Sequence, residues 1–102
     1  MKVYNKLVRD KIPEIIKADG KNCKIRNLSD EEYIASLEAK LDEEVAEYQV
    51  DKNLEEMADV LEVLQAICIA RGYSLGELEA VRAKKASERG GFADKLFLEY
   101  VE

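Results

Sequence analysis

The stretch LEEMADVLEVLQAICIA, residues 54–70, is the strongest constraint on what this chain can fold into. At about 100° per residue, Leu54, Met57, Leu61, Leu64 and Cys68 form one apolar stripe, and Val60, Val63 and Ile67 carry it around the cylinder. A helix apolar around most of its circumference must be covered on several sides. Yet Glu56 falls between Val63 and Ile67, and Asp59 lies near Val63, Ala66 and Ala70. Two acids therefore stand where burial is expected, while Glu55 and Glu62 mark the polar face that remains.

Punctuation elsewhere divides the chain into helices. Asp10 is positioned to cap a short first helix with Pro13 inside its opening turn, and Gly20 stops it. Ser29 with Glu32 is a capping-box pattern for a long second helix running to about Gln49. Asn53 with Glu56 caps the third helix, which Gly72 ends, and Ser74 with Glu77 starts a fourth that Gly90 and Gly91 stop. NCKIRNL reads as a short strand, and KLFLEYV, residues 95–101, as a second that pairs with it or with KVY. The expected fold is mainly α: a single domain, residues 1–102, of about four helices. A small antiparallel β ribbon joins the strand before helix 2 to the C-terminal segment.

On the second helix Ile34, Leu37, Leu41, Val45 and Tyr48 fall within a sector of roughly 80°, which defines its packing face. Glu44 lies inside or at the margin of that sector and Glu47 at its edge, whereas Asp42 and Glu43 point away. Helices two and three, joined by a connection at about 50–53, must pack side by side. Four carboxylates, Glu44, Glu47, Glu56 and Asp59, are thereby expected to converge across the seam. Acids are plentiful here, 22 in 102 residues, so pairs three apart carry little weight and burial carries the rest. A buried carboxylate is neutralised, paired with a base or bound to a cation. The same pattern also fits acids lining a solvated groove or paired with Lys and Arg. If a cation is the answer, oxygen-only ligands in this number suit Mg²⁺ or Mn²⁺.

Composition removes several functions. Without histidine there is no Ser-His-Asp or Cys-His centre and no histidine zinc site. A net charge of -6 argues against a nucleic-acid polymer as partner. No apolar run approaches the ~18 residues of a membrane span, and the N-terminus lacks the apolar stretch of a signal peptide, so the expected place is the cytoplasm and no membrane partner is expected. Cys23 and Cys68 match no metal spacing and read as packing thiols. On the fourth helix Arg82, Lys85 and Arg89 continue the line of Leu75, Leu78 and Val81, followed by Gly90, Gly91 and Phe92. That arrangement suits phosphate binding, or simply a glycine C-cap preceded by bases that favour the helix dipole.

KLDEEVAEY followed by LEEMADVLEVL resembles the ExxE and ExxD pair of the MazG-like superfamily of all-α nucleotide pyrophosphohydrolases. YNKLVRDKIPEII and KASERGGF resemble its small phosphoribosyl-ATP pyrophosphohydrolase-like branch. The resemblance implies a metal-dependent enzyme that converts a nucleoside triphosphate to monophosphate and pyrophosphate. It implies Glu44, Glu47, Glu56 and Asp59 as Mg²⁺ ligands, Glu43 or Glu47 as the base that accepts a proton from water, and Lys85 and Arg89 as phosphate contacts. Lys6 and Arg9, which match the family's N-terminal segment, would close over the phosphates. Relatives are dimers or tetramers, and the nearly all-apolar third helix independently points to a homo-oligomer. House-cleaning of noncanonical nucleotides is the expected role. The alternatives are phosphoribosyl-ATP pyrophosphohydrolase itself in histidine biosynthesis, and a non-catalytic module that binds a nucleotide or a partner helix.

Overall fold

Ser29 and Ser74 each accept a hydrogen bond from the backbone N–H three residues on, and the Glu32 and Glu77 carboxylates in turn accept one from the cap residue's N–H, so two capping boxes fix where two helices begin. The computed structural model describes residues 1–102 and contains four helices: α1 (Ile12–Ala18), α2 (Asp30–Asp51), α3 (Leu54–Ala70) and α4 (Leu75–Arg89). Asn53 caps α3 through its side-chain oxygen, which accepts from the Glu56 N–H at 2.9 Å. At the start of α1 the cap residue is Lys11 rather than Asp10, and no side chain caps it. Pro13 sits in the opening turn, where no N–H is missed.

Helix α2 runs two residues beyond Gln49, leaving Lys52 and Asn53 as the whole connection to α3. Lys52 takes the left-handed conformation (φ 54°) and donates its N–H to Tyr48 O, which reverses the chain at once. α2 and α3 are therefore an antiparallel hairpin, and their seam holds the centre of the protein. Leu37, Val63 and Ile67 are its buried cluster, with Leu7, Leu41, Ala66 and Ala70 packed against it. Cys68 is buried beside this seam and donates its S–H to Ser74 O at 3.4 Å, whereas Cys23 is exposed and packs nothing. α4 packs on α3 alone. No helix is long and apolar enough to cross a membrane.

The mainly α architecture follows the sequence pattern, but the β ribbon does not form. Neither residues 22–28 nor residues 95–101 are strand. A strand exists only through hydrogen bonds to a neighbour, and no backbone bond joins these segments to each other or to residues 2–4. The burial pattern differs as well. Leu54, Met57, Leu61 and Leu64 face outward, and it is Val63 and Ile67, farther around the helix, that meet α2.

The result is elongated, 62 × 31 × 24 Å, with a radius of gyration of 18.2 Å. A compact chain of this length has a radius near 13 Å. Only five residues are buried, and one of them is charged.

Candidate acidic groove between α2 and α3

Glu44 is that charged residue, 8% exposed in the seam one helical turn along from Leu41. The turn geometry that sends Leu37 and Leu41 to the core sends Glu44 there too. From α3, Glu56 and Asp59 reach the same place because they share a face with Val63 and Ala66. Glu44, Glu56 and Asp59 each offer a carboxylate oxygen, and the three oxygens lie within 4.8 Å of one another.

Two cations answer part of this charge. Lys40 Nζ lies 3.5 Å from Glu44 Oε1 and 4.0 Å from Glu43 Oε2. Arg9 donates from Nη2 to Asp59 Oδ1 at 2.6 Å, carried there by an N-terminal segment that Leu7 pins to the core. Leu7 to Asp10, Lys40, Glu44 and Asp59 are among the residues that line the groove. Its volume is about 320 Å³, at the lower end for small-molecule sites.

The compensation is incomplete. Glu44 Oε2 and Glu56 Oε2 are both buried and receive no hydrogen bond. Burial raises the pKa of the Glu44 carboxyl, the nearby Glu47 carboxyl pushes the same way, and Lys40 opposes them. Glu56 is raised chiefly by desolvation, then by the charges of Asp59, Asp51 and Glu44. Glu47 is exposed and its charge adds to the upward shift of Glu44. Four carboxylates meet two cations, and two buried oxygens are left without a donor.

These residues fit a divalent cation in donor type, in charge and in having orphaned oxygens turned inward. Oxygens bound to one ion at about 2.1 Å lie no more than about 4.2 Å apart. Neighbouring positions around an octahedral ion are only about 3 Å apart, so direct ligation by all three acids would draw the trio closer together than its spread of up to 4.8 Å.

Of the four acids expected to converge, Glu44, Glu56 and Asp59 do so, while Glu47 is exposed and stands outside that trio. Glu43 is exposed, with its carboxylate 4.0 Å from Lys40 Nζ. Of the expected cations, Lys85, Arg89 and Lys6 do not reach the groove. Lys85 and Arg89 are exposed on α4 and form no ion pair. Arg89 borders a separate hollow with Gly90, Gly91 and Phe92. Lys6 lies 5.8 Å from the centre of the Tyr4 ring and is not part of the groove lining. Arg9 does reach the groove, but as the partner of an acid.

Sequence reasoning missed Lys40, whose signal is its place four residues before Glu44, where a helix makes Lys and Glu neighbours. The Arg9–Asp59 pair had no such signal, since fifty residues separate its members.

No protein-family model matches the chain, and no solved structure matches it. A protein of Mycolicibacterium smegmatis, described only as uncharacterized, is 68% identical over 41 residues, a segment that makes up 40% of this chain and 42% of that protein. The matched segment is thus less than half the length of that relative.

Proposed function

We propose that this chain is a Mg²⁺- or Mn²⁺-dependent nucleoside triphosphate pyrophosphohydrolase of the MazG-like type, which cleaves between the α and β phosphates and clears noncanonical nucleotides from the cytoplasm. One observation carries the reading: three acid oxygens from two helices within 4.8 Å of one another, with buried Glu44 Oε2 and Glu56 Oε2 lacking any donor. Glu44, Glu47, Glu56 and Asp59 would hold the ion. Once bound, it would polarise the diphosphate and lower the pKa of an attacking water.

Glu47 is the carboxylate suited to accept the water's proton, because it is exposed and lies close enough to Glu44 to act on its charge. Glu43, the other candidate, is drawn toward Lys40. Lys85 and Arg89 are free to bind phosphates from α4. Lys6 would act from the N-terminal segment, and Arg9 would do so on exchanging Asp59 for a phosphate oxygen. The chain would work as a homodimer or homotetramer, which the large exposed apolar area supports.

A second reading keeps the groove and drops the chemistry. Because Arg9 and Lys40 already answer two acids, the chain could hold a nucleotide or a partner helix without hydrolysing anything. A panel of canonical and modified nucleoside triphosphates, assayed with Mg²⁺ and Mn²⁺ for pyrophosphate against orthophosphate, separates the two. Metal-dependent pyrophosphate release that Glu56→Gln abolishes is the expected result. Release that survives Glu56→Gln removes the metal assignment, and silence across the panel favours the binding module.

A further inference from the structure

Beyond Gly91 the chain leaves the helices and finds nothing to pack on. Residues 92–102 make one backbone hydrogen bond, Lys95 N–H to Phe92 O, and bury no side chain. Yet six of these eleven residues are large and apolar. Phe92, Leu96, Phe97, Leu98, Tyr100 and Val101 are between 73% and 99% exposed. A segment that stays in water is ordinarily poor in such residues. This one has the composition of an interior.

The same chain carries a complementary deficit. Leu54, Leu61 and Leu64 expose the outward side of α3, and Val81 exposes part of α4. The accessible surface is 9357 Å², against about 5,800 Å² for a compact protein of this mass. The surplus, about 3,500 Å² per chain, exceeds the roughly 1,000–2,500 Å² that each partner contributes to most obligate homodimers. Helix faces pressed together would account for part of it. An arm that lies outside the helices accounts for more.

We propose that residues 92–102 are an exchanged arm: in a pair of chains, the arm of each copy seats on the exposed apolar side of α3 in the other. A second copy is the occupant because each chain presents one uncovered arm and one uncovered face. A twofold axis satisfies both at once with no surplus of either. The arm rests on the homodimer reading given above and goes beyond it, since helices alone could also make a dimer.

Photo-crosslinking of the full-length protein tests the arm directly. The natural chain and one carrying p-benzoylphenylalanine in place of Phe97 are made in ¹⁴N and ¹⁵N forms, mixed, irradiated and digested, with the assembly state first measured by sedimentation. The expected result is a dimer in which position 97 joins residues 54–70 across isotopes. Crosslinks confined to the same chain, or a dimer in which position 97 joins nothing on α3, overturn the arm and leave the homodimer standing. A monomer at every concentration overturns both. As a second measurement, Phe97→Asp combined with Leu98→Asp raises the dimer dissociation constant at least tenfold while helical circular dichroism stays unchanged. An unaltered constant overturns the arm.

Discussion

Arg9 Nη2 and Asp59 Oδ1 meet at 2.6 Å across fifty residues of sequence, which ties the N-terminal segment to one of the three clustered acids of the groove. Both side chains remain partly exposed, 56% and 38%, so the pair itself stabilises the fold by no more than about 1 kcal/mol. Its larger effect falls on any cation that needs Asp59, because the guanidinium must leave first. Arg9→Gln should therefore leave the metal-free melting temperature within a few degrees of the parent and tighten Mn²⁺ binding several-fold. Calorimetric titration with Mn²⁺ measures this, and an affinity that weakens in Arg9→Gln shows that Arg9 does not compete for Asp59.

Glu44 is nearly buried and keeps one oxygen without a donor. Replacing it by Gln retains the shape and removes a poorly compensated charge, at the expense of the ion pair with Lys40. Without metal, Glu44→Gln should match or exceed the parent in stability by up to about 1 kcal/mol. A ligand that binds only the folded state adds about 2.7 kcal/mol at a hundred times its dissociation constant. That increment should be present in the parent with Mn²⁺ and absent in Glu44→Gln. Thermal denaturation with and without Mn²⁺ decides it, and equal metal-induced shifts in both proteins would place the ion elsewhere.

The helices and the convergence of the acids were legible because both follow from periodicity. Ser29, Asn53 and Ser74 announce three helix starts through a local hydrogen bond, and the three-residue spacing of Glu44 with Glu47 and of Glu56 with Asp59 puts each pair on one helix face. Periodicity also shows that α3 is apolar nearly all round, but it does not say which side meets α2 within the chain. Val63 and Ile67 won that side, and Leu54, Leu61 and Leu64 were left outward. Alternation in residues 95–101 suggested a strand, yet pairing depends on a neighbour that alternation cannot supply. The pairing of Arg9 with Asp59 was not legible for a related reason: an irregular segment carries no period from which its path over the groove could be read.

Glu32 offers a pH dependence away from the groove. Its carboxylate accepts hydrogen bonds from Arg26 and from the Ser29 N–H, and with Arg26 the larger cause its pKa falls to about 2 from an ordinary 4.5. A depressed folded-state value means that the contribution to stability is complete above pH 4.5 and is lost as pH falls toward 2. Glu32→Gln should accordingly destabilise the protein at pH 6 and converge with the parent near pH 2. Glu44 and Glu56, shifted upward, change in the opposite sense but are common to both proteins, so the difference isolates Glu32. Urea unfolding along a pH series measures it. Parallel curves from pH 6 to pH 2 would mean that the capping box does not respond to charge.

Arg89 separates substrate binding from ion binding. It stands at the end of α4 beside Gly90 and Phe92, outside the acidic groove and without an ion-pair partner. A guanidinium left free of carboxylates is available to a phosphate, and hydrogen bonds to charged groups contribute about 1.5–3 kcal/mol each. Under the pyrophosphohydrolase reading, Arg89→Ala should lower kcat/KM for a nucleoside triphosphate by roughly ten- to a hundred-fold, in proportion to that energy. Mn²⁺ affinity measured without nucleotide should not change, because no acid of the groove loses a partner. Lys85→Ala, one turn earlier on α4, should act in the same direction. If both variants turn over substrate like the parent, α4 has no part in phosphate recognition, and the bases at its end serve only the dipole of their own helix.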